Sequence, residues 1–223
     1  DAQLRVKGTT HPYVGRGGLK LEHALKHFDL SLQGKVMLDI GSSTGGFTDC
    51  ALQHGASYVY AIDVGYNQLD WSLRQDERVC VMERTNFRYV KPEDLKGPEP
   101  TVATIDVSFI SIKKILPPLK DILLANGGGC VVALIKPQFE AGRELVGKSG
   151  IVKEKKTHLQ VLKDMFAYLP EHGWQWEGLT YSPIKGGEGN IEFLALLSLD
   201  SSDTEARVTE DQLNQIVEQA HQF

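Results

Sequence analysis

A glycine-rich turn followed by a distant acid is the feature of this sequence that most directly suggests ligand chemistry. The turn occupies residues 39–48, Asp-Ile-Gly-Ser-Ser-Thr-Gly-Gly-Phe-Thr, between a short apolar run and a helical segment. Glycines at such a turn let the backbone approach a ligand and expose amides at the start of the helix. Asp63 ends the next apolar run, 22 residues after Gly41. A carboxylate there can accept both hydroxyls of an adenosine ribose, so the two features predict a site for a nucleoside-containing cofactor.

Alternating strands and helices are needed to position these residues. Five apolar runs predict buried strands of a parallel sheet, at 36–40, 58–63, 79–82, 101–106 and 130–135. Apolar stripes at 112–123 and 159–169 have helical spacing. Two further runs, 174–181 and 191–199, flank a short glycine-rich turn and must therefore pair antiparallel. The sequence predicts an α/β fold with a mostly parallel, doubly wound, seven-stranded sheet, a C-terminal antiparallel hairpin and helices on both faces.

The glycine turn, Asp63 and the terminal hairpin together resemble the S-adenosylmethionine-dependent methyltransferases, which have a Rossmann-like fold. In that family the turn lies against the methionine part of the donor and the acid holds its ribose. The resemblance therefore implies S-adenosylmethionine as the cofactor. It implies a donor-binding role for Asp39, Gly41, Ser42, Ser43, Thr44, Gly45, Gly46, Phe47, Thr48, Asp63, Val64, Thr85 and Asn86. A nicotinamide oxidoreductase would use a similar sheet and is kept as an alternative, although its turn has Gly-x-Gly-x-x-Gly spacing.

Two segments indicate which kind of atom accepts the methyl group, because each lacks a feature needed for one kind of acceptor. Residues 106–109 are Asp-Val-Ser-Phe rather than the (D/N)PPY with which methyltransferases hold an amine. Cys130 begins a predicted strand without an obvious base beside it, which argues against methylation of carbon through a cysteine nucleophile. An oxygen acceptor remains.

Four charged residues match the tetrad of the FtsJ-type ribose 2′-O-methyltransferases in order, Lys-Asp-Lys-Glu. They are Lys20, Asp106, Lys136 and Glu192. Five short motifs around these residues and around Asp63 look like those of the TlyA branch, also called haemolysin A. They are residues 16–21, 63–66, 106–111, 136–140 and 189–193. The resemblance implies that the four residues are catalytic. It also implies 2′-O-methylation of cytidine in ribosomal RNA, with ribosomal RNA or ribosomal subunits as partners.

The hypothesis for these four side chains divides the work between them. Lys136 orients and deprotonates the ribose hydroxyl, Asp106 holds Lys136 beside the methyl group, and Lys20 and Glu192 complete the network. The enzyme mainly has to align the ribose oxygen for in-line displacement, because a methyl group on a sulfonium is already electrophilic.

The domain boundaries are predicted from composition and from the resemblance. We expect residues 1–15 to be a linker from an amino-terminal RNA-binding domain that full-length members carry, and 16–199 to be the methyltransferase domain. Residues 200–223 would form a polar linker and an amphipathic helix, which starts at a capping box of Thr209 and Gln212 and either packs on the body or docks a partner. Basic residues between 140 and 156 suggest a loop that clamps RNA, or simply a solvated loop.

Composition limits the remaining classes of function. With 24 Lys and Arg against 29 Asp and Glu, the formal net charge is −5, so the composition gives no indication of a DNA partner. Three widely spaced cysteines favour a reducing, cytoplasmic compartment over a disulfide framework. The histidines have no metal-binding spacing, and His158 and His172 are predicted to lie at the surface or at helix ends. No apolar stretch is long enough to span a membrane, which argues against direct lysis by a haemolysin; an RNA-binding protein without efficient catalysis stays as an alternative.

Overall fold

A computed structural model describes residues 11–199 and 207–223 of the chain. Its centre is one seven-stranded sheet in the order β3-β2-β1-β4-β5-β7-β6. The strands are β1 Val36–Ile40, β2 Tyr58–Ile62, β3 Val79–Met82, β4 Val102–Ile105, β5 Cys130–Ile135, β6 Gln175–Tyr181 and β7 Phe193–Ser198. The first five pair in parallel, and β7 pairs antiparallel with both β5 and β6. The predicted mixed sheet with a C-terminal hairpin is confirmed.

Helices cover both faces of the sheet, as predicted. They are α1 Gly17–His27, α2 Gly46–Gln53, α3 Trp71–Arg74, α4 Leu116–Ala125, α5 Pro137–Glu140, α6 Lys155–Glu171 and α7 Glu210–Gln222. The apolar side chains of α1, α2 and α3 form one core with one face of the sheet, and those of α4, α6 and α7 form a second core with the other. The five central strands are almost continuously buried because both of their faces are covered.

Several element boundaries differ from the prediction by a few residues. The strands expected at 58–63 and 101–106 end one residue earlier, so Asp63 and Asp106 lie just beyond the sheet. The helix expected at 112–123 is divided into a 3-10 turn, Ile112–Lys114, and α4, whose second and third residues are prolines. Proline fits the first turn of a helix because the amides there have no intrahelical acceptor.

Helix α7 packs on the body of the protein. Leu213, Val217 and Ala220 are buried against the second core, and the capping box of Thr209 and Gln212 is present. This position favours packing over the partner-docking alternative. Residues 1–10 and 200–206, which carry most of the two predicted linkers, lie outside the described part of the chain.

His158 lies in the first turn of α6, in agreement with a position at a helix end, but it is not at the surface. Its ring on α6 is fully buried because α7 covers it, with Nδ1 2.7 Å from His221 Nε2 and Nε2 3.1 Å from the Val152 carbonyl oxygen. Burial, reinforced by the neighbouring His221, lowers the pKa of His158 to about 4. His172 does lie at the carboxyl end of α6, as predicted.

Candidate active site

The four charged candidates come together because their strands end at one edge of the sheet. Ile40 pairs with Ile105, which places Gly41 beside Asp106, and Ile135 pairs with Phe193, which places Lys136 beside Glu192. Strand β5 extends two residues beyond Ala133, the partner of Ile105, so Lys136 lies slightly further along the same edge than Asp106. Asp106 follows β4 and Lys136 follows β5. Glu192 precedes β7, and the antiparallel direction of that strand brings its amino end to the carboxyl edge of the parallel strands. Ligands of open α/β sheets bind at this edge, where the strand order reverses.

Lys136 and Asp106 form the first ion pair of the site. The Lys136 ammonium lies 2.6 Å from Asp106 Oδ1 and donates a second hydrogen bond of 3.3 Å to the Ser108 hydroxyl. The Lys136 side chain is 9% exposed and that of Asp106 is 21% exposed. The pair is therefore held in place from inside the protein while one face of the carboxylate remains reachable.

Lys20 and Glu192 form the second ion pair, which joins residues 172 positions apart. Lys20 Nζ donates to Glu192 Oε2 at 2.8 Å, and both residues are buried. Lys20 comes from α1, which crosses the start of α2 so closely that a Cβ on Gly46 would lie 2.8 Å from the Gly18 nitrogen. The glycine at position 46 is therefore what allows α1 to bring Lys20 over the sheet edge.

Two adjoining cavities lie at this edge. The first, the charged cavity, has a volume of about 630 Å³, and its walls include Arg16, Lys20, Gly41, Ser42, Ser43, Thr44, Gly46, Phe47, Asp106 and residues 184–189. The second, the apolar cavity, has a volume of about 450 Å³, and its walls include Ile40, Gly41, Ser43, Ile62, Asp63, Val64, Thr85, Asn86, Phe87, Asp106 and residues 107–110. Gly41, Ser43 and Asp106 line both, so a molecule in one cavity can meet a molecule in the other at Asp106.

The glycine turn packs so closely against the end of β4 that Gly41 can carry no side chain. Gly41 has φ of +89°, and a Cβ there would lie 2.1 Å from the Asp106 carbonyl oxygen. Both the left-handed backbone and the contact exclude any larger residue. The Ser43 amide donates to Asp63 Oδ2 at 2.7 Å, and the Gly65 amide donates to Oδ1 at the same distance. Asp63 thus ties the turn to the end of β2 and keeps lone pairs for a ligand at the cavity wall.

Three of the predicted donor-binding residues line neither cavity: Asp39, Gly45 and Thr48. Asp39 is completely buried below the turn, where it accepts hydrogen bonds from the hydroxyls of Thr48 at 2.6 Å and Thr104 at 3.4 Å. Burial raises the pKa of Asp39 to about 7, against the opposing effect of the Thr48 hydroxyl. In this structure Asp39 and Thr48 join the turn to α2 and β4 from beneath.

A buried asparagine connects the two loops beside the charged cavity. Asn190, 2% exposed, accepts from the Val152 amide at 3.0 Å and donates to the carbonyl oxygens of Gly150 and Gly187 at 2.9 and 3.0 Å. The basic segment 140–156 is therefore attached to the glycine-rich turn that carries Glu192 at its end. Arg143, Lys148 and Lys153 of that segment are exposed.

The described residues contain neither a metal-binding cluster nor a helix suited to a membrane. Within 11–199 and 207–223, no group of three or more His, Cys, Asp or Glu side chains is arranged to hold a metal ion. In the same ranges no helix is both long and apolar enough to cross a lipid bilayer.

Comparison with known proteins decides the family. The sequence profile of the FtsJ-like methyltransferases matches residues 13–199, which is most of the chain. The chain belongs to the FtsJ-like methyltransferase family. This membership confirms the predicted enzyme class and, together with the Rossmann-like sheet, the predicted S-adenosylmethionine donor. It also decides against the nicotinamide oxidoreductase.

This FtsJ-like methyltransferase has close relatives in several bacteria. It is 58% identical to the Bacillus subtilis protein YqxC, provisionally named an rRNA methyltransferase, over 99% of this chain and 78% of that protein. It is 41% identical to Mycobacterium tuberculosis TlyA, named a 16S/23S rRNA (cytidine-2′-O)-methyltransferase, over 86% of this chain and 70% of that protein. A solved structure from Streptococcus thermophilus, provisionally named a haemolysin, is 53% identical with a TM-score of 0.90, and the match covers 97% of this chain and 77% of that one.

Sequence reasoning missed two side chains that contact the tetrad of this FtsJ-like methyltransferase. Ser108 accepts from Lys136, and the Gln138 amide donates to Glu192 Oε1 at 3.1 Å. Both lie inside motifs that resemble those of the family, Ser108 two residues after Asp106 and Gln138 two residues after Lys136. That proximity was the available signal, but only the folded structure shows where the side chains point.

Proposed function

We propose that this protein transfers a methyl group from S-adenosylmethionine to the 2′-oxygen of a cytidine ribose in ribosomal RNA. One observation carries the proposal: the ion pairs Lys136–Asp106 and Lys20–Glu192 lie at one sheet edge, beside a cavity suited to a nucleoside. The TlyA and YqxC names of its relatives support the ribosomal RNA substrate, and the TlyA name supports the cytidine. Such a reaction belongs in the bacterial cytoplasm, where ribosomal RNA is made.

The walls of the apolar cavity fit the methyl donor. Ile40, Ile62 and Phe87 offer apolar surface for a base, while the Asp63 carboxylate can accept hydrogen bonds from ribose hydroxyls. Gly41 and Ser43, which line both cavities, would lie beside the rest of the donor. When bound, S-adenosylmethionine supplies an electrophilic methyl group on a sulfonium.

The tetrad acts on the acceptor hydroxyl. Lys136 Nζ, held by Asp106 Oδ1 and the Ser108 hydroxyl, orients the ribose oxygen toward the junction of the two cavities. The proton that the hydroxyl loses is taken up by the Lys136–Asp106 pair acting as a unit. Lys20 and Glu192 keep the wall of the charged cavity fixed and electrically balanced, so that the hydroxyl is positioned with little rearrangement.

The RNA backbone would pass over exposed cationic and aromatic side chains around the cavities. Arg143, Lys148 and Lys153 project from the segment beside the charged cavity. Near the rim of the apolar cavity, the Arg84 guanidinium lies 4.1 Å from the centre of the exposed Tyr66 ring. Phosphates bind cations and unpaired bases stack on aromatic rings, which favours RNA over a small-molecule acceptor.

Methylation of intact ribosomal subunits tests the proposal. The purified chain is incubated with methyl-labelled S-adenosylmethionine and 30S or 50S subunits, and the RNA is digested to nucleosides. We expect label in 2′-O-methylcytidine, at a position where the RNA chain resists alkaline cleavage. The Lys136→Met variant is the matched control and should bind the donor without incorporating label.

Two results would contradict the proposal. Label in a base rather than a ribose would overturn the acceptor. Tight RNA binding with no label, in the presence of bound donor, would instead support the alternative of an RNA-binding protein without efficient catalysis.

A further inference from the structure

Gln138 connects the two ion pairs of the site. It lies in the first turn of α5, two residues after Lys136, and its amide nitrogen donates to Glu192 Oε1 at 3.1 Å. Lys20 donates to the other oxygen, Oε2, at 2.8 Å. The Glu192 carboxylate is therefore held at both oxygens, by α1 on one side and by α5 on the other.

This arrangement fixes the direction of a buried carboxylate. Glu192 is 2% exposed, so an oxygen without a protein donor would lose its hydrogen bond altogether rather than exchange it for solvent. With only Lys20 as a donor, the carboxylate could rotate and carry the flexible lysine with it. The short link through Pro137 places the second donor at a set distance from Lys136, which couples the position of one ion pair to that of the other.

The other end of the amide shows how strongly its orientation is determined. Gln138 Oε1 is buried and has no hydrogen-bond partner within the described part of the chain. Such an acceptor costs free energy, and rotating the amide by half a turn would place this oxygen against the Glu192 carboxylate. The hydrogen bond from the Gln138 amide nitrogen to Glu192 is thus kept, although the amide oxygen is left without a partner in the described part of the chain.

We propose that Gln138 is a positioning residue, which holds Glu192, and through it Lys20, at a fixed place relative to Lys136. The proposal rests on the proposed function, because it assigns Gln138 an effect on methyl transfer. Gln138 lines neither cavity and so has no part in holding the donor.

Three variants test this role. Gln138→Met keeps the length of the side chain but removes the donor, and we expect kcat to fall about 10- to 100-fold while the donor Kd stays unchanged. Gln138→Glu introduces a carboxyl that can donate only when protonated, so its kcat should recover as the pH falls, opposite to a simple loss of packing. Gln160→Met is the matched control, since Gln160 donates to the Asp164 carboxylate at 2.8 Å on the exposed face of α6 and should leave kcat unchanged.

A readout that needs no methyl transfer separates this proposal from the proposed function. Brief acylation with acetic anhydride, followed by mass spectrometry of the peptide that contains Lys20, measures how well its amine is held. We expect several-fold more acylation in Gln138→Met than in the wild type or Gln160→Met. Equal acylation, or a wild-type kcat and pH profile in both Gln138 variants, would overturn the role of Gln138. A wild type that leaves RNA unlabelled would overturn the proposed function, and the acylation result would still stand.

Discussion

Replacing Lys136 by methionine separates binding from chemistry. The change removes the ammonium that contacts Asp106 Oδ1 at 2.6 Å and the Ser108 hydroxyl at 3.3 Å, while a side chain of similar length remains. Lys136 is not part of the wall of the apolar cavity proposed for the donor, so the donor Kd should stay within about twofold of the wild-type value. Removing the amine that orients the hydroxyl also breaks the Lys136–Asp106 pair that takes up the hydroxyl proton, so kcat should fall by about 10²–10⁴-fold.

The same variant should lose stability, and a second change should restore it. Breaking a buried ion pair costs about 3–5 kcal/mol, and because the Asp106 side chain keeps 21% of its exposure we expect the lower end, about 3 kcal/mol. Adding Asp106→Asn removes the unpaired charge and should recover most of that loss. The double variant should remain inactive, because it has neither the amine nor the carboxylate.

Three measurements check this reasoning. Urea unfolding gives the free energies, isothermal titration calorimetry gives the donor Kd, and label transfer to ribosomal subunits gives kcat. The division of roles would be refuted if Lys136→Met kept kcat within tenfold of wild type, or if donor affinity fell as far as the rate. A double variant no more stable than the single one would refute the argument from the unpaired carboxylate.

Three further predictions concern the turn, the ribose acid and the buried histidine. Gly41→Ala should lower the free energy of unfolding by at least about 1–2 kcal/mol, because of its φ of +89° alone, and should abolish donor binding. Urea unfolding measures the first effect and calorimetry the second, and wild-type values in both assays would contradict the turn geometry. Asp63→Ala should raise the donor Kd about 10- to 100-fold, and an unchanged Kd would exclude Asp63 from the donor site. The pKa of His158 is about 4 in the folded protein and 6.5 in the unfolded chain, so the unfolded chain binds a proton first as the pH falls. The free energy of unfolding should therefore decrease by up to about 3 kcal/mol between pH 6.5 and pH 4. In urea unfolding across that range, His158→Gln should lack this part of the pH dependence.

The sheet was predictable because its pattern is local. Each of the five buried runs is apolar at nearly every residue, and a parallel sheet covered on both faces requires that pattern. The direction of β7 followed from the short connection to β6. Errors at strand ends were of one or two residues, since a side chain such as Asp63 continues the run in sequence but leaves the ladder in space.

Residues of the candidate site could be predicted only where they belong to motifs shared with a known family. Lys20, Asp106, Lys136 and Glu192 were found through words shared with a family, and the structure places them in two ion pairs. The side-chain directions of Ser108 and Gln138, the depth of Asp39 below the turn and the cover over His158 depend on contacts between distant segments. No local pattern encodes such contacts.

The ion pair between Lys20 and Glu192 has a consequence for the timing of activity during synthesis. It joins the first described helix to the beginning of the last strand, across 172 positions. A growing or truncated chain that stops before β7 can pair its five parallel strands and still lack the carboxylate that Lys20 needs. Closing so long a loop is favourable only once the final hairpin has docked. Under the proposed mechanism, competence for methyl transfer would be a late property of the nascent polypeptide, which an amino-terminal fragment would not possess.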